Sequence, residues 1–204
     1  MRLLPSGTTS LLLEVGDLEE VLALYAALSE DPPAGVVDLV PAARTVLVVI
    51  DPARTSLTAL EAALRRVRPV PVSRDRGELL EVPVIYDGED LVAAAELLGW
   101  DEDELVRRHT DAEWTVAFSG FAPGFAYLTS TPWRFDVPRR TTPRVRVPAG
   151  SVALAAEFSG VYPRESPGGW QLIGRTQLEV FDVARRPAAL LRPGVRVRFR
   201  SVLP

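Results

Sequence analysis

Three segments of this chain gather the residue types that bind small polar molecules. Residues 119–128 set Phe121, Phe125 and Tyr127 among Gly120, Pro123 and Gly124. Residues 138–150 carry Arg139, Arg140, Arg144 and Arg146 between prolines, and residues 160–176 place Tyr162, Ser166, Gln171 and Arg175 around Pro167-Gly168-Gly169-Trp170. Rings supply flat contact area and glycine lets a ligand approach the backbone. Guanidinium forks match carboxylates and phosphates, and a Pro-Gly-Gly turn with positive φ leaves backbone N–H groups for an anionic or carbonyl oxygen. Each segment also has a purely structural reading. The aromatics can plug a barrel end, Arg144 and Arg146 can be the solvated face of a strand whose other face is Val145 and Val147, and the glycines can form a hairpin corner against a buried tryptophan. The candidate substrate-binding residues are Phe121, Phe125, Tyr127, Arg144, Tyr162, Ser166, Gly168, Gly169, Trp170, Gln171 and Arg175.

What the composition lacks narrows the chemistry. There is no cysteine and no lysine, all 23 basic residues are arginine, and His109 is the single histidine. Thiolate chemistry, a P-loop lysine, a Schiff base, a biotin-attachment lysine and a His-His zinc motif are excluded. Ser166 lies outside any GxSxG context, so no catalytic residue is assigned. His109 follows Arg107 and Arg108 in the last turn of a helical pattern, where a cation suits the negative end of the helix dipole. The acidic run 101–104 reads as a helix start, no bound metal is expected, and Trp114 and Trp133 read as core or lid residues. A net charge of −4 without a basic stripe points away from nucleic acid and lipid. No apolar run of spanning length and no signal-peptide pattern at the N-terminus give a cytoplasmic expectation.

The elements that must position these residues emerge from periodicity. Residues 9–15 read as a strand, Asp17 and Glu20 as a capping pair opening a helix with Leu18, Val21, Leu22, Tyr25 and Leu28 at helical spacing, then strands at 36–40 and 45–50 and a second helix through Leu57, Leu60, Leu64 and Val67. With 79–86 as the last strand, this is the split order of a ferredoxin-like sheet, and the Pro- and Arg-rich run 68–77 joins it to the next lobe. Two short helices occupy 90–98 and 101–109. From 114 to 202 the pattern is β: short runs, including 114–118, 145–155, 170–174, 178–183 and 195–202, separated by Gly or Pro as in a small barrel or sandwich. The fold class is α+β, with an α/β lobe over 1–86 and a lobe of short helices plus barrel over 87–204.

The segments GFAPGFAYL, TPRVRVPAGSVA and GVYPRESPGGWQLIGRT closely resemble the family of the 5-oxoprolinase B subunit, also called allophanate hydrolase subunit 1 or the Kip-type kinase inhibitors. The likeness is strongest from about 104 to 199. Two stretches depart from the family pattern: Tyr86-Asp87-Gly88-Glu89-Asp90-Leu91 in place of a longer glycine-rich segment, and 154–158. The resemblance implies a ferredoxin-like N-terminal lobe and a cyclophilin-like β-barrel. It also implies work with subunits A and C to open 5-oxo-L-proline to L-glutamate with ATP used by the complex, held here or by a partner, and inactivity alone. Two alternatives carried by the same family are a carboxyltransferase half-site in a biotin-dependent urea or amide carboxylase system and a module that inhibits a histidine kinase.

Overall fold

The computed structural model describes residues 1–69 and 78–203, in two compact units, Met1–Ser73 and Arg74–Pro204. The expected joining run 68–77 lies, from residue 70 on, outside the described residues.

The first unit is a four-stranded antiparallel sheet with two helices: β1 (Arg2–Pro5), β2 (Ser10–Glu14), α1 (Leu18–Glu30), β3 (Val36–Pro41), β4 (Thr45–Ile50) and α2 (Leu57–Leu64), in strand order β1-β2-β4-β3. Asp17 starts α1 by accepting the Glu20 N–H at 2.9 Å, and Ser56 starts α2 by accepting that of Ala59 at 3.2 Å. These bonds satisfy amide groups that a helix start leaves without partners. Leu18, Val21, Leu24 and Leu28 of α1, Leu60 and Leu64 of α2, and the alternating Leu11, Leu13, Val46, Val48 and Ile50 of the strands form the buried side. Each contributes on the order of 1.5–3 kcal/mol by leaving water.

The strand expected at 79–86 to complete this sheet does not belong to it. Leu79–Val84 (β5) runs parallel to Arg196–Ser201 (β13) in the second unit, so the lobe boundary drawn after Tyr86 gives way to a division after Ser73. Val82 and Val84 bury beside Val197 and Phe199 in one core, and β1 takes the vacant edge beside β2.

The second unit continues with α3 (Leu91–Leu97), α4 (Glu102–Asp111), β6 (Trp114–Ser119), β7 (Ala126–Thr129), β8 (Arg144–Val147), β9 (Ser151–Ala155), β10 (Phe158–Val161), β11 (Ser166–Gly168) and β12 (Gln171–Arg175). Seven strands form one sheet, β12-β9-β10-β7-β6-β13-β5, while β8 and β11 pair as a separate ribbon. Just beyond β5, Ile85 exchanges two backbone hydrogen bonds of 2.9 Å with Arg175 at the opposite edge, which closes the sheet into a barrel-like form. The adjoining loop needs Gly88, because a Cβ there would fall on the Leu172 carbonyl oxygen. Residues 178–183 are not a strand; Phe181 makes one isolated bridge to Ala189.

The sheet has two unlike faces. Trp114, Val116, Leu128, Leu154, Val161, Ile173, Val197 and Phe199 pack inward with helices α3 and α4. Their strand neighbours Phe118, Phe125, Tyr127, Phe158, Tyr162 and Trp170 alternate to the other face and touch one another there.

Candidate ligand cleft on the aromatic face

The turn after β6 and the ends of β10 and β11 meet over this second face. Phe125 is the hub: its ring centroid lies 5.3 Å from Phe121, 5.3 Å from Tyr127, 5.2 Å from Tyr162 and 5.3 Å from Trp170, each edge to face. Such contacts orient rings more sharply than burial alone. Gly160 and Gly168 make room for them. A Cβ on Gly168 would collide with the Tyr162 hydroxyl, so the Gly168 backbone itself forms part of the wall.

A cleft of about 130 Å3 is lined by Phe121, Phe125, Tyr127, Arg139, Tyr162, Gly168, Gly169 and Trp170. At its rim Phe121 holds a left-handed backbone (φ 66°) and leaves 58% of its surface exposed. That conformation costs a bulky side chain on the order of 1–3 kcal/mol and recurs at ligand clamps. Burial raises the pKa of Tyr127 and of Tyr162, and the Arg139 charge acts against that rise in both. Both phenols are therefore neutral hydrogen-bonding groups.

Seven of the candidate residues meet at this cleft, and four do not. Arg144 pairs with Gly168 across the β8–β11 ribbon, but its guanidinium turns to Asp90 (2.8 Å) and Glu89 (3.0 Å). Arg175 pairs with Asp87, Gln171 donates to the Pro138 carbonyl at 2.8 Å, and Ser166 Oγ donates to the Arg164 carbonyl at 3.4 Å. Neither Gly168 nor Gly169 adopts positive φ, so the expected Pro-Gly-Gly turn is instead a strand end, in which packing against Tyr162 requires glycine at 168 but not at 169. Val145, expected to share a covered face with Val147, is 92% exposed, whereas Val147 is buried.

Two further residues organise the surroundings. Asp90, buried beneath the cleft's supporting loops, accepts Arg140 (2.7 Å), Arg144 (2.8 Å) and the Leu172 N–H (2.7 Å). Burial alone would raise its pKa, but hydrogen bonds from Arg144 and Leu172 and the two arginine charges outweigh burial and hold it below the usual carboxylate range. His109 is fully buried on the inward face, stacked 4.4 Å from Phe199, with Nδ1 2.7 Å from the Tyr86 hydroxyl and Nε2 2.9 Å from Ser159 Oγ. Burial pushes its pKa down to about 3. A neutral imidazole supplies no cation to the helix end, so the expected dipole role is replaced by a core hydrogen-bonding one. Among the described residues no group of three or more His, Asp or Glu is placed to hold a metal, and no helix is long and apolar enough to cross a membrane.

The family model described as carboxyltransferase domain, subdomain C and D, matches residues 1–191. The chain belongs to this family. Its relatives include proteins named as the B subunit of 5-oxoprolinase from Escherichia coli O157:H7, 42% identical over 80% of this chain and 77% of that one, and from Bacillus subtilis strain 168, 36% identical over 88% and 81%. The crystal structure of TTHA0988 superposes with a TM-score of 0.78 at 36% identity, covering 96% of this chain, which spans only 40% of that longer protein. The Kluyveromyces lactis urea amidolyase superposes at 0.77 over 98% of this chain and 15% of its own, but at 18% identity it shows the shared carboxyltransferase-domain fold alone.

Within this family fold, Arg139 is the cleft residue that the sequence pattern does not single out. It stands in the same arginine cluster as Arg144, and nothing local distinguishes which of the two a buried carboxylate claims. Asp90 sits at a helix start, where acids are ordinary, so its burial has no local sign.

Proposed function

We propose that this chain is the B-type subunit of an ATP-dependent 5-oxoprolinase, acting with subunits A and C in the cytoplasm and inactive alone, and that it holds the lactam. The observation that carries this reading is the 36–42% identity, over most of both chains, to proteins named as the B subunit of 5-oxoprolinase. The cleft supports it by size and chemistry. About 130 Å3 is well below the several hundred Å3 of sites for drug-sized ligands and suits a single small ring. Flat aromatic walls accommodate a five-membered ring, and the neutral Tyr127 and Tyr162 hydroxyls offer hydrogen bonds to an amide.

The same cleft does not fit a nucleoside triphosphate. It is too small, and it presents one guanidinium where a triphosphate requires several positive groups or a metal. In this reading ATP is held by a partner, and the work of this chain is to bind and orient the lactam, since fixing a reactant beside the group that attacks or activates it removes much of the entropic barrier. Reconstitution with the cognate subunits A and C should release L-glutamate from 5-oxo-L-proline only when ATP is present. No release from the three-subunit mixture overturns the proposal.

A further inference from the structure

Arg139 differs from the arginines around it. Arg140 and Arg144 are held by Asp90, Arg146 by Glu165 and Arg175 by Asp87. Arg139 makes no hydrogen bond or ion pair with any described residue, although it lines the cleft beside Tyr127, Tyr162 and Trp170. The cleft contains no carboxylate, so its only formal charge is this one positive group. The backbone carrying it is fixed on the adjacent residue: the Arg140 N–H donates to the Gly169 carbonyl at 2.8 Å while the Arg140 guanidinium is clamped by Asp90 at 2.7 Å. Thus the segment that presents Arg139 is tied both to the glycine wall and to a buried anion, and its side chain retains a full set of donors for an incoming group.

We infer that Arg139 is the carboxylate-recognition residue of the cleft, so that the ligand is a small, ring-shaped monoanion whose apolar body lies against Phe125 and Trp170. The identity of the lactam rests on the function proposed above, whereas the ligand's charge and shape rest on the cleft. A single guanidinium satisfies one carboxylate bidentately and leaves no second cation for a dianion. Discrimination against the uncharged ring is the consequence, because a neutral ligand would cover the rim without giving the guanidinium a partner in exchange for its hydration. Arg140 and Asp90 act as positioning residues for this contact.

The test uses the reconstituted three-subunit complex with wild-type chain, Arg139→Gln and Arg139→Lys. It combines steady-state kinetics on 5-oxo-L-proline with calorimetric titration of 5-oxo-L-proline and of pyrrolidin-2-one, the same ring without its carboxylate. Expected are a KM for 5-oxo-L-proline raised about tenfold or more in Arg139→Gln with kcat changed far less, partial recovery in Arg139→Lys, and binding of pyrrolidin-2-one that is weak and indifferent to all three side chains. An active complex whose KM is unchanged in Arg139→Gln overturns the inference and leaves the oxoprolinase reading standing. A complex without activity that still binds 5-oxo-L-proline in an Arg139-dependent way overturns the oxoprolinase reading and supports the inference. Equal binding of the charged and uncharged rings also overturns it. Circular dichroism of each variant separates these outcomes from loss of fold.

Discussion

Asp90 and His109 are both buried and titratable, and their environments move them in ways that can be told apart by pH. His109 in an unfolded chain takes a proton near pH 6.5, while in the folded chain burial withholds it until about pH 3. Its contribution is therefore fully present above pH 6.5 and declines as pH falls below that value, because the unfolded state then binds the extra proton. Between about pH 7.5 and 5.0 this amounts to about 2 kcal/mol. Urea titrations should show the wild-type chain losing more stability over that range than His109→Gln does; parallel pH dependence of the two would refute the neutral buried imidazole. Asp90 titrates lower, so its stabilisation is lost only as pH falls below the ordinary carboxylate range. At this scale the sequence displays which side chains are present but not which ones are spoken for. Arg144 is the natural choice for a ligand because it lies on an alternating strand; only the fold reveals that Asp90 already engages it and that Arg139, one residue before the clamped Arg140, remains available.

The helices and hairpin strands are legible because their signals are local: a capping oxygen at Asp17 or Asp101, apolar residues at 3.6-residue spacing, and glycine or proline at the ends. What escapes is non-local. The β5–β13 pair joins residues from opposite ends of the second unit, and its alternating valines look the same whichever sheet they enter. Likewise β1 is four residues ending in Pro5, too short to announce itself. The loop from Tyr86 to Asp90 shows how one element depends on another, since it lies so near β12 that Gly88 has no room for a side chain. Gly88→Ala should destabilise the chain by about 1–3 kcal/mol, the usual penalty of forced overpacking, and should weaken the Asp90 clamp with it. A urea midpoint equal to that of wild type would show that the loop can lift away freely.

For the molecule as a whole, the function proposed above gives the cleft one small ligand and assigns the nucleotide to a partner. Equilibrium dialysis of the chain alone against magnesium-ATP is expected to show no saturable uptake, and the three-subunit assembly is expected to show it; uptake by the chain alone would locate a nucleotide site in it. The Ile85–Arg175 bridge bears on how such an assembly is built. Because it joins the two ends of the seven-stranded sheet, that sheet has little unpaired main chain with which another polypeptide could zip up as an additional strand. Recognition through that sheet must accordingly be written in side chains, whereas any strand-on-strand docking would fall to the two-stranded β8–β11 ribbon or to the borders of the smaller sheet, where Val37 and Val40 already face outward.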